Sequence, residues 1–189
     1  MRCLICGIGS IGQRHFRNLI ALDQEVAVFR SRSTATPFIT AFMEEQKSVG
    51  REVEVFYSLK AALEIFQPEI VFVTNPNSLH MEVAIPAAKF GSHLFIEKPV
   101  SHNLEKLDEL KTLVEAKKLK VMVGYNLRFH PLLSKMKEML IEGAIGLPLS
   151  AHVDLGENVE DWHPWEEYSQ TYSVWKSGGG GIILCFSHD

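Results

Sequence analysis

Cys3-Leu4-Ile5-Cys6-Gly7-Ile8-Gly9-Ser10-Ile11-Gly12 opens on a short apolar run and turns into a G-x-G-x-x-G loop at Gly7, Gly9 and Gly12. An amphipathic stretch follows, with Phe16, Leu19 and Ile20 on one face. Strand, glycine loop and helix in that order suit a bound dinucleotide. Gly7 permits the tight turn, Gly9 lets the backbone approach a pyrophosphate, and Gly12 lets the helix pack closely on the strand. The free N–H groups at the start of the helix then face the phosphates, so the backbone of Gly7, Ile8, Gly9, Ser10, Ile11 and Gly12 is the expected cofactor cradle.

The 189 residues allow one full domain and part of another. A hydrophobic content of 46% with 22% charged residues fits a soluble globular protein, and a net charge of −4 argues against neutralising a nucleic-acid backbone. No apolar stretch approaches the ~20 residues that span a bilayer, and the run after Met1-Arg2 is too short for a signal peptide. A cytoplasmic protein with no nucleic-acid or membrane partner is therefore expected. Cys3, Cys6 and Cys185 are the three cysteines. The C-x-x-C at Cys3 and Cys6 invites a zinc or redox reading, but residues three apart in a strand point to opposite faces. Both are expected in the core, with no metal site, and a sparse, odd count fits a reducing compartment.

From Leu4 to Val123 strands and helices alternate. Strands are expected at Leu4–Cys6, Glu25–Phe29, Val53–Phe56, Ile70–Thr74, His93–Ile96 and Lys120–Val123. Helices are expected at Ile11–Leu22, from Ser33 to about Val49, at Leu59–Phe66 behind Ser58, from Asn77 or Ser78 to Phe90, and at Leu104–Lys117. Strands apolar on both faces, alternating with helices, indicate a doubly wound parallel sheet, the Rossmann form of α/β fold. Residues 1–122 are assigned to it. Residues 123–189 read as an incomplete α+β second domain, with a helix at Pro131–Ile141 and an alternating strand at Leu149–Leu155.

Arg30-Ser31-Arg32 stands at the end of the second strand, where a carboxylate would hold an NAD ribose. Two guanidiniums and a hydroxyl suit a 2′-phosphate, so NADP is favoured, with NAD possible; a solvated basic turn is the plainer alternative. Glu97-Lys98-Pro99 closes the fifth strand, at the edge where open α/β sheets place ligands. A lysine there can hydrogen-bond a substrate hydroxyl and move its proton, which makes Lys98 the candidate catalytic residue.

Gly7 to His15, Asn75-Pro76-Asn77-Ser78-Leu79-His80, Glu97-Lys98-Pro99-Val100, Gly124-Tyr125-Asn126-Leu127-Arg128-Phe129 and the glycine run 178–181 stand in the order seen in Gfo/Idh/MocA oxidoreductases. The chain resembles that family over nearly its whole length. The resemblance implies hydride transfer between NAD(P) and a hydroxyl or keto carbon of a sugar, a cyclitol or a related compound. By it Lys98 is the catalytic lysine and Glu97 positions the cofactor. Asn75, Pro76, Asn77 and His80 line the nicotinamide side, and Tyr125, Asn126 and Arg128 lie between cofactor and substrate. On the residues alone, Asn77-Ser78 is equally a helix cap and Arg128 equally an ion-pair partner.

The last segment departs from the pattern. Many members follow their glycines with an aspartate and, four residues on, an acid–base histidine. Here Cys185 and Asp189 hold those positions, and His188 is displaced by about 100° around a helix. A Ser187-His188 pair keeps His188 as a second candidate acid–base group, against a plain cap or surface residue. Trp162 and His163, in Asp161-Trp162-His163-Pro164-Trp165, are candidate substrate contacts, or part of an aromatic cluster over the domain junction. Family members continue into an antiparallel sheet that walls the substrate pocket and often forms a dimer interface. The chain is therefore expected to be truncated, with a homo-oligomer expected if that domain were complete. The alternative to an enzyme is a non-catalytic dinucleotide-binding module or an inactive remnant.

Overall fold

In a computed structural model, residues 1–33, 35–154, 156, 158–161 and 167–181 are described. Six parallel strands form one sheet: β1 (Arg2–Cys6), β2 (Glu25–Phe29), β3 (Glu54–Phe56), β4 (Ile70–Val73), β5 (His93–Ile96) and β6 (Val121–Val123). Their order is β3-β2-β1-β4-β5-β6, the doubly wound arrangement, and the direction of winding reverses between β1 and β4. In register, Cys6 pairs with Phe29 on one side and Val73 on the other, and Val73 pairs with Ile96. The residues that follow β1, β2, β4 and β5 therefore leave the sheet side by side along its carboxyl edge.

Side-chain alternation divides the core into two layers. Leu4 and Cys6 join Val71, Val73, Leu94 and Ile96 beneath α4 (His80–Phe90) and Leu110 of α5 (Leu107–Lys117). Cys3 and Ile5 join Val28 and Phe72 beneath Phe16 and Leu19 of α1 (Ser10–Ala21) and Phe42 of α2 (Pro37–Ser48). Cys3 and Cys6 thus sit in different layers, both fully buried, as the strand spacing required. Each aliphatic side chain buried this way stabilises the fold by about 1.5–3 kcal/mol.

Several boundaries moved for local reasons. Thr36, not Ser33, caps α2, because Pro37 supplies a ready first helical residue and the Thr36 hydroxyl accepts from the Ile39 amide. Ser58 does cap α3 (Leu59–Ala61), accepting from Ala61 N–H, and the segment continues as a wider turn over Ala62–Phe66. Neither Asn77 nor Ser78 caps α4; a 3₁₀ turn at Asn77–Leu79 precedes it, and Asn77 bonds elsewhere. α5 starts at Leu107 because Lys106 takes a left-handed conformation (φ 62°), which leaves Leu104 exposed on a loop. α6 (Pro131–Ile141) lies where expected.

The strand expected at Leu149–Leu155 is corrected. Residues 149–154 pair with no strand among the described residues, which leave out Leu155, and Leu149 and Val153 are 90% and 85% exposed. Alternation alone makes a strand only where a neighbour takes up its backbone hydrogen bonds. Among the described residues no helix is long and apolar enough to cross a membrane.

Candidate functional site

The glycine loop leaves β1 at the winding reversal. Gly7 adopts φ +110°, and a Cβ there would lie 2.8 Å from the Asn75 amide nitrogen. A Cβ on Gly12 would lie 2.0 Å from the Gly7 carbonyl oxygen, so the close approach of α1 to the loop requires glycine. Gly9 has nothing within 4 Å of its Cβ position. The loop is tight behind and open in front, on the side where the backbone would meet a ligand.

α1 is well prepared for an anion. Gly9 occupies its N-cap without any side-chain cap bond, and no acidic residue stands in its first turn. Its first N–H groups and the positive end of its dipole are left for a phosphate. Two residues that the motif reading missed brace the loop. The Thr74 hydroxyl lies 2.7 Å from the Gly7 carbonyl oxygen and 3.2 Å from that of Cys6, and the buried Gln13 side chain donates to the Ile8 carbonyl at 3.4 Å. The sequence signal for Thr74 is a hydroxyl at the end of an apolar strand, opposite a glycine turn.

Arg30 emerges beside this loop, since Gly7 N–H donates to the Phe29 carbonyl and Arg30 N–H to that of Phe56. Its side chain is buried, whereas Ser31 and Arg32 are exposed. The three residues are therefore adjacent to the cradle but differently presented.

Beyond β4, Asn75 donates from Nδ2 to the Leu79 carbonyl at 3.0 Å, while its Oδ1 is buried with no protein partner. An orphaned acceptor beside the glycine loop is what the carboxamide of a nicotinamide would satisfy, and together with the open face of Gly9 it fits a dinucleotide. Asn77 is buried and donates to the Gly179 carbonyl at 2.9 Å. A Cβ on Gly179 would approach Asn77 and His102 to 2.8 and 2.7 Å, so the glycine run docks on this turn by lacking side chains.

His80 is the first residue of α4. The ring is fully buried, with Nδ1 2.9 Å from the Pro99 carbonyl oxygen and Nε2 3.0 Å from that of Asn75. It bridges the β4 loop to the β5 loop. Burial lowers its pKa, against the opposing pull of the Asn75, Pro99 and Val100 carbonyls and of Glu97.

Glu97 and Lys98 follow β5, and the Lys98–Pro99 peptide is cis. Glu97 Oε1 accepts from His15 Nε2 at 2.7 Å, with both side chains only 15% exposed. Lys98 stands next to this pair, half-buried at the carboxyl edge. β6 ends alongside, with Gly124 N–H donating to the Ile96 carbonyl, and Tyr125, Asn126 and Arg128 follow as an exposed 3₁₀ turn. Trp162, His163 and His188 lie outside the described residues.

A glycine cradle, an uncapped helix start and a lysine, gathered along one carboxyl edge of a doubly wound sheet, define a dinucleotide-binding Rossmann domain of the dehydrogenase type. The chain belongs to the GFO_IDH_MocA family, described as an oxidoreductase family with an NAD-binding Rossmann fold, whose sequence model matches residues 1–125. It is 32% identical over 150 residues to myo-inositol 2-dehydrogenase of Thermotoga maritima, covering 78% of this chain and 43% of that protein. It is 26% identical over 192 residues to scyllo-inositol 2-dehydrogenase (NAD(+)) of Bacillus subtilis, covering 100% and 52%. The crystal structure of an NAD-binding protein from Listeria innocua superposes with a TM-score of 0.72 at 25% identity, covering 98% of this chain and 51% of that one. The chain spans about half the length of the curated relatives it matches.

Proposed function

We propose that this chain holds NAD(P) across the carboxyl edge of its sheet, and that the protein is a dehydrogenase of sugar-like alcohols, interconverting a CH–OH group and a ketone. The observation that carries the reading is the meeting, on one edge, of the open glycine cradle after β1 and Lys98 after β5. Parallel strands in register put these two loops on either side of the β4 loop, so a ligand lying along the edge would reach both.

The backbone N–H groups at the start of α1 bind the pyrophosphate, and Asn75 Oδ1 accepts from the carboxamide. The nicotinamide, when bound, supplies the hydride acceptor or donor. Lys98 Nζ hydrogen-bonds the substrate oxygen, takes its proton on oxidation and returns it on reduction. Tyr125, Asn126 and Arg128 face the substrate from the end of β6. The family and the inositol dehydrogenase relatives favour a sugar or cyclitol as substrate. Arg30, Ser31 and Arg32 beside the cradle favour NADP over NAD. Residues 1–122 would form the cofactor domain, and residues 123–189 would begin the domain that closes over the substrate.

Titrating the chain with NADH and NADPH, and following nicotinamide fluorescence, tests the first half; no binding of either overturns it. Turnover of a panel of cyclitols and sugars by the wild type and by Lys98→Ala tests the second. Full activity in Lys98→Ala removes the proposed proton path. Binding without turnover of any panel member would support a dinucleotide-binding module instead.

A further inference from the structure

We propose that His15 is a positioning residue for Lys98, acting through the carboxylate of Glu97. The inference rests on the reading of Lys98 as the proton-transfer group. Phe95 and Glu97 share a face of β5 by strand alternation, and that face is the one α1 covers. Glu97 therefore turns its carboxylate under α1, where little water reaches it, and a carboxylate so placed needs hydrogen-bond donors. His15, one turn into α1 beyond Gly12, supplies the short one at 2.7 Å from Nε2, and the Lys98 amide supplies a longer one to Oε2 at 3.4 Å.

The imidazole is itself held. Its ring packs edge-on against Phe95, with centroids 4.9 Å apart, and tilted against Phe72 at 5.5 Å. Phe72 and Phe95 stack on each other at 5.1 Å. From the other side, Gly124 leaves room for the carboxylate: a Cβ there would lie 3.0 Å from both oxygens of Glu97. The carboxylate is thus confined between α1, the end of β5 and the end of β6. The helix whose start would bind the phosphates is tied through it to the backbone of the lysine at the reacting end. Only a donor of the right reach at position 15 keeps that tie.

The test follows the Lys98 backbone amide in the ¹⁵N–¹H spectrum of the full chain. In His15→Leu, which keeps the apolar packing and removes the donor, the Lys98 resonance is expected to move and its hydrogen exchange to quicken about tenfold. His15→Gln, whose side-chain amide donates at similar reach, is expected to restore both. Gly124→Ala perturbs the carboxylate from the opposite side with His15 intact, and is expected to move the same resonance. An unmoved Lys98 amide in His15→Leu or in Gly124→Ala, or a Gln variant that behaves like the Leu variant, overturns the inference. NADH and NADPH titrations of the wild type are run beside it. A wild type that binds neither cofactor sinks the functional reading, while the Lys98 amide still decides the positioning role.

Discussion

The bridge made by His80 has a measurable dependence on pH. A neutral imidazole carries one N–H and can satisfy one of the two carbonyls facing it, at Pro99 and Asn75. Burial is the largest influence on the ring and lowers its pKa below 6.5. The unfolded chain therefore takes up a proton at a higher pH than the folded one. His80's contribution is fully present above pH 6.5 and is lost as pH falls towards the lower folded value, with a slope of at most about 1.4 kcal/mol per pH unit for one proton. His80→Leu removes both effects. At pH 8 it leaves a buried carbonyl without its donor, at a cost of about 1–3 kcal/mol. For a chain of this length each kcal/mol lowers Tm by about 2–4 °C. Thermal melts of both proteins at pH 8 and pH 5.5 give the answer. The variant is expected to start lower and to lose less on acidification. A variant as stable as wild type at pH 8, or one that keeps the whole acid slope, refutes the argument.

Gly9→Ala is expected to melt like wild type, because its Cβ meets nothing, yet to bind NAD(P)H about tenfold more weakly by standing between backbone and pyrophosphate. Gly12→Ala puts its Cβ 2.0 Å from the Gly7 oxygen, so it should lower Tm as well as abolish binding; fluorescence titration and melting separate the two. Arg30→Ala should weaken NADPH by about tenfold and leave NADH nearly unchanged, if its guanidinium reaches the 2′-phosphate; equal losses would remove the basis for NADP preference. Cys3 and Cys6 are fully buried, and burial raises both thiols, so thiol reagents should reach neither until the chain unfolds, as peptide mapping by mass spectrometry would show.

Much of the sheet was legible because its signals are local. The Glu25–Phe29 and His93–Ile96 runs are apolar, short and bounded by turn residues, and β2 and β5 have those limits. Helix starts were harder, since several hydroxyls compete for each cap and the neighbour decides: Pro37 selected Thr36 over Ser33. The Leu149–Leu155 alternation misled because a strand is a property of two segments, and one sequence window shows only one. In the site, the glycine cradle and Lys98 could be read from spacing and strand ends. The partnerships of His15 with Glu97 and of Asn77 with Gly179 join residues 82 and 102 positions apart, and no local pattern announces them. The motif marks His80 as a lining residue but gives no sign of the bridge its ring makes between the Asn75 and Pro99 carbonyls.

The two layers of the core share β1. Cys3 and Ile5 anchor one layer, Leu4 and Cys6 the other, so neither can melt while leaving the strand fully covered. Opening either layer strips contacts from a strand that is paired on both edges, and the loss is felt at once in its companion. The glycine loop is the direct extension of this strand, whose Cys3, Leu4, Ile5 and Cys6 are all fully buried. Displacing the root of the cradle at Cys6 and Gly7 therefore uncovers both layers together, while the open front of the loop at Gly9 is left free to meet a ligand.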